Sequence, residues 1–186
     1  MTDYNNLYHG LDRAAWAYFF LYFNINIDSV SLLPTFVGYL LFLGAIKLLE
    51  YEERELSLLR PLAILMAVWH GLDWCLSLFG ADLYGLQFID LIRNVIDIYF
   101  HFQLLTNLAS IAARYQPEDA ELDRKLQKYR TLQTLMITAI WVLTYFDHWF
   151  EDYWGLISGG MGVVYVIAGV CLMKAIFDLR HTLPQE

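Results

Sequence analysis

Cysteine is scarce, with only Cys75 and Cys171 in a chain of 186 residues. Neither belongs to a CxxC pair, so a disulfide-stapled module is excluded. Charge is scarce as well. Asp, Glu, Lys and Arg make up 17% of the chain, against about 25% in an ordinary soluble domain. Cations are the scarcer sign: 12 Lys and Arg against 20 Asp and Glu, a formal net charge of −8. That balance excludes DNA or RNA as a partner, because phosphate binding needs a cationic face. The chain has no internal repeat, no low-complexity tract and no cleavable signal pattern.

Apolar surface is what it has in excess. Residues of the AVILMFWYC set are 58% of the chain, aromatics are 17%, and mean hydropathy is +0.41. A soluble domain of this length cannot hide so much, so the bilayer is the expected surrounding. We expect a single all-α transmembrane domain, 1–186, with membrane spans near 12–27, 29–49, 61–81, 86–113, 128–150 and 153–176. The first is short and rich in aromatics, and it suits an interfacial helix as well; the alternative is five spans plus that helix.

Charge orients the spans. Lys47, Arg54, Arg60, Arg114, Arg124, Lys125, Lys128, Arg130, Lys174 and Arg180 fall on one side of this layout. The opposite loops hold Asp28, Asp82, Asp147, Glu151 and Asp152. The positive-inside rule then places the cations and the C-terminus in the cytoplasm. Pro61 and Pro117 each suit the first turn of a helix.

The stretch Phe23–Leu41, FNINIDSVSLLPTFVGYLL, carries Asn24, Asn26, Leu33, Pro34, Phe36, Gly38 and Tyr39 in a distinctive order. It resembles small membrane proteins of Gram-positive bacteria in which an N-I-N-I stretch precedes L-P-x-F-x-G-Y and a membrane helix. The resemblance covers the N-terminal quarter and brings no activity with it. It implies the plasma membrane of a bacterium.

Ionisable groups inside hydrocarbon are costly and usually face the bundle interior or water. Asp90, Asn94, Asp97 and His101 follow one face of the fourth span, with Arg93 positioned to pair with Asp97 or Asp90. His70 and Asp73 share a face of the third span, near Trp74; His148 ends the fifth. At about 1.5 Å per residue, His70 and Asp97 fall near the midplane, Asp73 and Asn94 lie a turn nearer the outer face, and His101 lies below it.

Asp73, Asp90 and Asp97 outnumber Arg93, the one permanent cation beside them. We therefore expect an outward-facing acidic, His and aromatic cavity for a cation or small cationic solute, lined by Asp73, Asp90, Asn94, Asp97, His70, His148 and Trp74. The protein is then more a binder or transporter than an enzyme. Two alternatives stand beside it. One is a metal-dependent hydrolase with a divalent ion such as zinc on His70, Asp73, Asp97 and His101. The other is an accessory subunit whose polar core is structural. Haem is disfavoured, because His70 and His148 differ in depth. Gly155 and Gly159 form a GxxxG pair that allows close contact with another helix, of this chain, a second copy or a partner subunit.

Overall fold

The computed structural model describes residues 3–23, 26–27, 30–31, 33–81, 87–145 and 154–184. These residues form six α-helices: α1 (Tyr4–Tyr22), α2 (Thr35–Leu49), α3 (Arg60–Ser77), α4 (Gln87–Tyr115), α5 (Leu122–Tyr145) and α6 (Trp154–His181). A short antiparallel pair, β1 (Asn26–Ile27) and β2 (Val30–Ser31), lies between α1 and α2. A 3-10 turn, Arg54–Leu59, leads into α3.

Local chemistry explains most of the boundaries. The Asp3 side chain caps α1 by accepting from the Asn6 amide at 3.1 Å. Pro34 sits at the N-cap of α2, and Pro61 lies in the first turn of α3, where its missing N–H costs nothing. Pro117 does not begin α5 as expected. Its carbonyl accepts from the Ala120 amide at 3.0 Å in a turn, Glu121 adopts φ 47°, and the helix starts at Leu122. Gln116 takes over the capping, its Oε1 accepting from the amides of Leu122 and Asp123.

The first two spans also differ from expectation. The first helix runs over 4–22 rather than 12–27, because Asp3 starts it early and the β pair follows it. The second is α2, with 15 residues, about 22 Å long at the usual rise and short of a hydrocarbon core of about 30 Å. Among the described residues three helical segments are long and apolar enough to cross a membrane: Arg54–Ser77, Ile89–Tyr115 and Trp154–His181. Their outward faces are apolar, as in Ile64, Leu65, Val68, Leu72, Val95, Val163 and Ile167, all exposed. In water such surface would be unfavourable; against lipid it is not.

Each helix packs against the next in sequence, and α1 also packs against α6, so the neighbours close into a ring whose α3–α4 seam is the thinnest. Basic residues gather at one end. There Arg60 Nη2 meets Glu50 Oε1 at 2.5 Å, Arg114 meets Glu53, and Arg180 meets Asp12 while lying over the Tyr8 ring.

Packing is uneven along the bundle axis. Toward the basic end the core is dense: Leu7, Leu11, Phe42, Leu49, Leu59, Met66, Leu108, Ile176 and Leu179 are fully or almost fully buried. Toward the other end it loosens. Among the described residues, none in 68–77, 89–99, 137–144 or 154–168 is fully buried. The bundle is a tight base beneath an open upper half.

Candidate functional site

The floor of the open half is built by five helices. Gly38 lets α2 approach α1 closely; a Cβ there would lie 2.4 Å from Leu21 and 3.0 Å from the Ala17 carbonyl. That approach brings Tyr39 of α2 and Tyr18 of α1 to one level. α4 delivers Asp97 and His101, one turn apart on its inward face. α3 adds His70, and α6 adds Tyr165.

These side chains form one connected cluster. Tyr39 donates its hydroxyl to Asp97 Oδ1. His101 Nε2 lies 3.2 Å from the same carboxylate oxygen and 3.5 Å from the Tyr39 hydroxyl. His101 Nδ1 faces the Tyr18 hydroxyl at 3.3 Å. Each nitrogen of His101 therefore has an oxygen partner, one toward α2 and one toward α1. The His70 ring stacks on Tyr39 with centroids 5.4 Å apart and planes within 8°. Tyr22 stacks on Tyr18, and Tyr165 lies against Tyr22 at 4.7 Å. Gly169 makes room for Tyr22, since a Cβ there would come within 2.4 Å of the ring.

Burial is graded across the cluster. The His101 side chain is 3% exposed and that of Asp97 is 25% exposed. Asp97, like His70 and Tyr165, is only partly buried, and His101 is sealed.

The structure brings some of the expected residues together and leaves others apart. On α4, Asp90, Asn94 and Asp97 are half-buried and His101 is buried. Asp90 Oδ1 is buried without a partner, a position that water or a ligand atom would satisfy. The ion pair of Asp97 is with His101, while Arg93 Nη2 donates to Asn94 Oδ1 at 3.2 Å. Asp73 lies half-buried on α3, and Trp74 packs on Phe36 with centroids 5.7 Å apart. His148 lies outside the described residues.

The expected metal set of His70, Asp73, Asp97 and His101 is not assembled: among the described residues no three His, Cys, Asp or Glu side chains come together as ligands. The reason is local. The Tyr39 ring lies against His70, and its hydroxyl takes a bond of Asp97 that a metal would need. Cys75 and Cys171 are free thiols.

Four residues of the cluster escaped sequence reading: Tyr18, Tyr22, Tyr39 and Tyr165. All sit in apolar helical stretches. The overlooked signal was the hydroxyl itself, which in hydrocarbon needs a partner. The GxxxG helix face behaves differently from Gly38 and Gly169. A Cβ at Gly155, Gly159, Gly160 or Gly162 meets nothing within 4 Å, so no described part of the chain packs there.

Comparison with protein-family models, with curated proteins and with solved structures finds no match to this chain.

Proposed function

We propose that this is a six-span protein of a bacterial plasma membrane, with a cytoplasmic C-terminus, that binds or passes a cation or small cationic solute at Asp97. The carrying observation is Asp97 itself: a carboxylate a quarter exposed at the floor of the loosely packed half, with a histidine nitrogen 3.2 Å away. Histidine is a conditional cation. When its ring is neutral, Asp97 carries a charge that a cation from the open half would balance. Asp90 and Asn94, on α4, and Asp73, on α3, are half-buried in the same half of the bundle, and Trp74 with Phe36 offers ring faces to an organic cation. The concentration of cations at the tight end supports its assignment to the cytoplasm. The open half then faces outward.

A second reading has one observation in its favour. The bonds of His101 to Tyr18 and to Asp97 and Tyr39 tie α1, α2 and α4 together. A structural clasp of that kind suits an accessory subunit. The open GxxxG face would then be where a second copy or a partner subunit packs.

Asp97→Asn separates the two. On the first reading the variant still folds, with a lowered melting temperature because the Tyr39 and His101 contacts of Asp97 weaken. Titration of the purified protein with sodium, potassium, choline and spermidine then shows at least one wild-type binder, weakened tenfold or more by the substitution. On the second, none of the four binds. Asp97→Asn leaves His101 without its counter-ion and lowers stability; breaking a buried pair costs about 3–5 kcal/mol. Asp97→Asn with His101→Gln restores much of it. Strong destabilisation with that rescue, and no binding, would sink the cation reading.

A further inference from the structure

We propose that the outer face of α5 is a binding site for an anionic phospholipid, with the headgroup phosphate on Lys128 and Arg124 and an acyl chain along Leu132 and Leu135.

Three cations at the basic end are neutralised by acids on other elements. Arg60 has Glu50, Arg114 has Glu53 and Arg180 has Asp12. The start of α5 is different. Arg124 shares the exposed Glu121 at 2.8 Å, and Lys125 turns back to the Ala120 carbonyl at 3.2 Å. Among the described residues no acid pairs with Lys128. The acids of this segment, Glu118, Asp119, Glu121 and Asp123, all precede Arg124, so Lys128 and Arg130 stand on the membrane side of the balance.

Helical spacing puts that charge on one stripe. Arg124, Lys128, Thr131, Leu132 and Leu135 recur at intervals of three and four, and all are exposed. They line a shallow depression of about 570 Å³ together with Arg130. Arg130 is held in place: its Nη1 donates to Thr106 Oγ1 at 3.0 Å, and its guanidinium lies 4.4 Å from the Phe102 centroid. Its Nε is buried without a partner. One wall of the depression is thus a fixed cation, and the other is two exposed ones.

The stripe changes character within one turn. From Thr131 to Tyr145 the helix has no charged residue. Leu135 is 63% exposed on the same face as Lys128. A ligand that fits both parts has a phosphate at one end and hydrocarbon at the other, and a cation cluster at a membrane surface recognises such lipids by their charge. A free phosphate would use only the cationic part.

The inference rests on α5 entering the membrane near Arg130, and the test addresses that separately. Purified protein in a zwitterionic detergent is titrated with dioleoylphosphatidylglycerol, dioleoylphosphatidylcholine or inorganic phosphate. Binding is read by native mass spectrometry and by the shift in melting temperature. The phosphatidylglycerol should bind preferentially. Lys128→Gln and Arg124→Gln should each weaken it about fivefold, the equivalent of ~1 kcal/mol per cation, and Lys128→Arg should keep the preference. Both sites are exposed, and far-ultraviolet circular dichroism checks that the variants keep their helicity.

Equal affinity for the two lipids, an unchanged preference in both glutamine variants, or inorganic phosphate matching the lipid would each overturn the site. A cysteine at Leu135 tests the depth. Its labelling in intact vesicles by a membrane-impermeant maleimide would overturn the boundary, whatever the lipid result. Neither outcome depends on cation binding at Asp97.

Discussion

At the residue scale, the glycines show where this molecule depends on close approach. Tyr22 cannot yield to a new methyl at position 169, because it is stacked on Tyr18 and packed by Tyr165. Gly169→Ala should therefore displace Tyr22 and lower stability by about 1–3 kcal/mol, the usual cost of overpacking. Gly159→Ala meets open space. It should leave the monomer unharmed or gain up to ~1 kcal/mol from helix propensity. Thermal unfolding of the two variants in the same detergent checks the contrast, and equal losses would contradict the packing of α6 on α1. If Gly159→Ala instead abolishes a dimer seen by light scattering, the open face carries a second copy. The residues that read plainly from sequence were the acids and the histidine of α4, whose spacing alone sets them on one face. Tyr39 was hidden because its role depends on Gly38, which pulls α2 against α1; a sequence does not display that contact.

At the element scale, the α4–α5 connection is held by one side chain. Gln116 bonds the first amides of α5 through Oε1 and donates through Nε2 to Asp123 Oδ1 at 2.7 Å. That donated bond holds the Asp123 carboxyl below the usual range, helped by the Arg124 backbone amide. A carboxyl whose folded value is lowered adds stability above its unfolded value, near 4. It loses that stability as pH falls through the folded value. The wild type should thus lose melting temperature on going from pH 6 to pH 3 more steeply than Asp123→Asn. A parallel pH profile in the two proteins would show that the Gln116 bond contributes nothing. The sequence pointed to Pro117 as the helix start because proline favours that place. The glutamine displaces the start by five residues, since a long side chain that reaches forward to cap leaves no local pattern to read.

At the scale of the whole molecule, the division into a tight base and an open half follows from where the small and apolar inward residues run out. Helical, membrane-seeking character was legible in composition, and α3, α4 and α6 overlap the segments expected there. The first two elements were less legible. The chain between Tyr22 and Thr35 spends itself on a strand pair, a choice that depends on tertiary contacts more than on hydropathy. Six spans and a cytoplasmic base make a direct expectation. Single cysteines at Asp82 and Tyr153 should react with an impermeant maleimide added outside intact cells, and those at Arg124 and Gln185 should not. Reaction at Arg124 would invert the orientation and put the open half on the inner side.

The contact between α1 and α6 has a further consequence. Arg180, in the last turn of α6, holds Asp12 and covers Tyr8 near the start of α1. The helix ring is thus sealed by side chains at the one seam that no connecting loop spans. Its closure is a property of surfaces and not of chain order. A circularly permuted chain, with α6 joined to α1 by a short linker and new ends opened in the turn between α4 and α5, asks for no helix to move. The ring would keep its neighbours, and the linker would replace an attraction that α1 and α6 already have for each other.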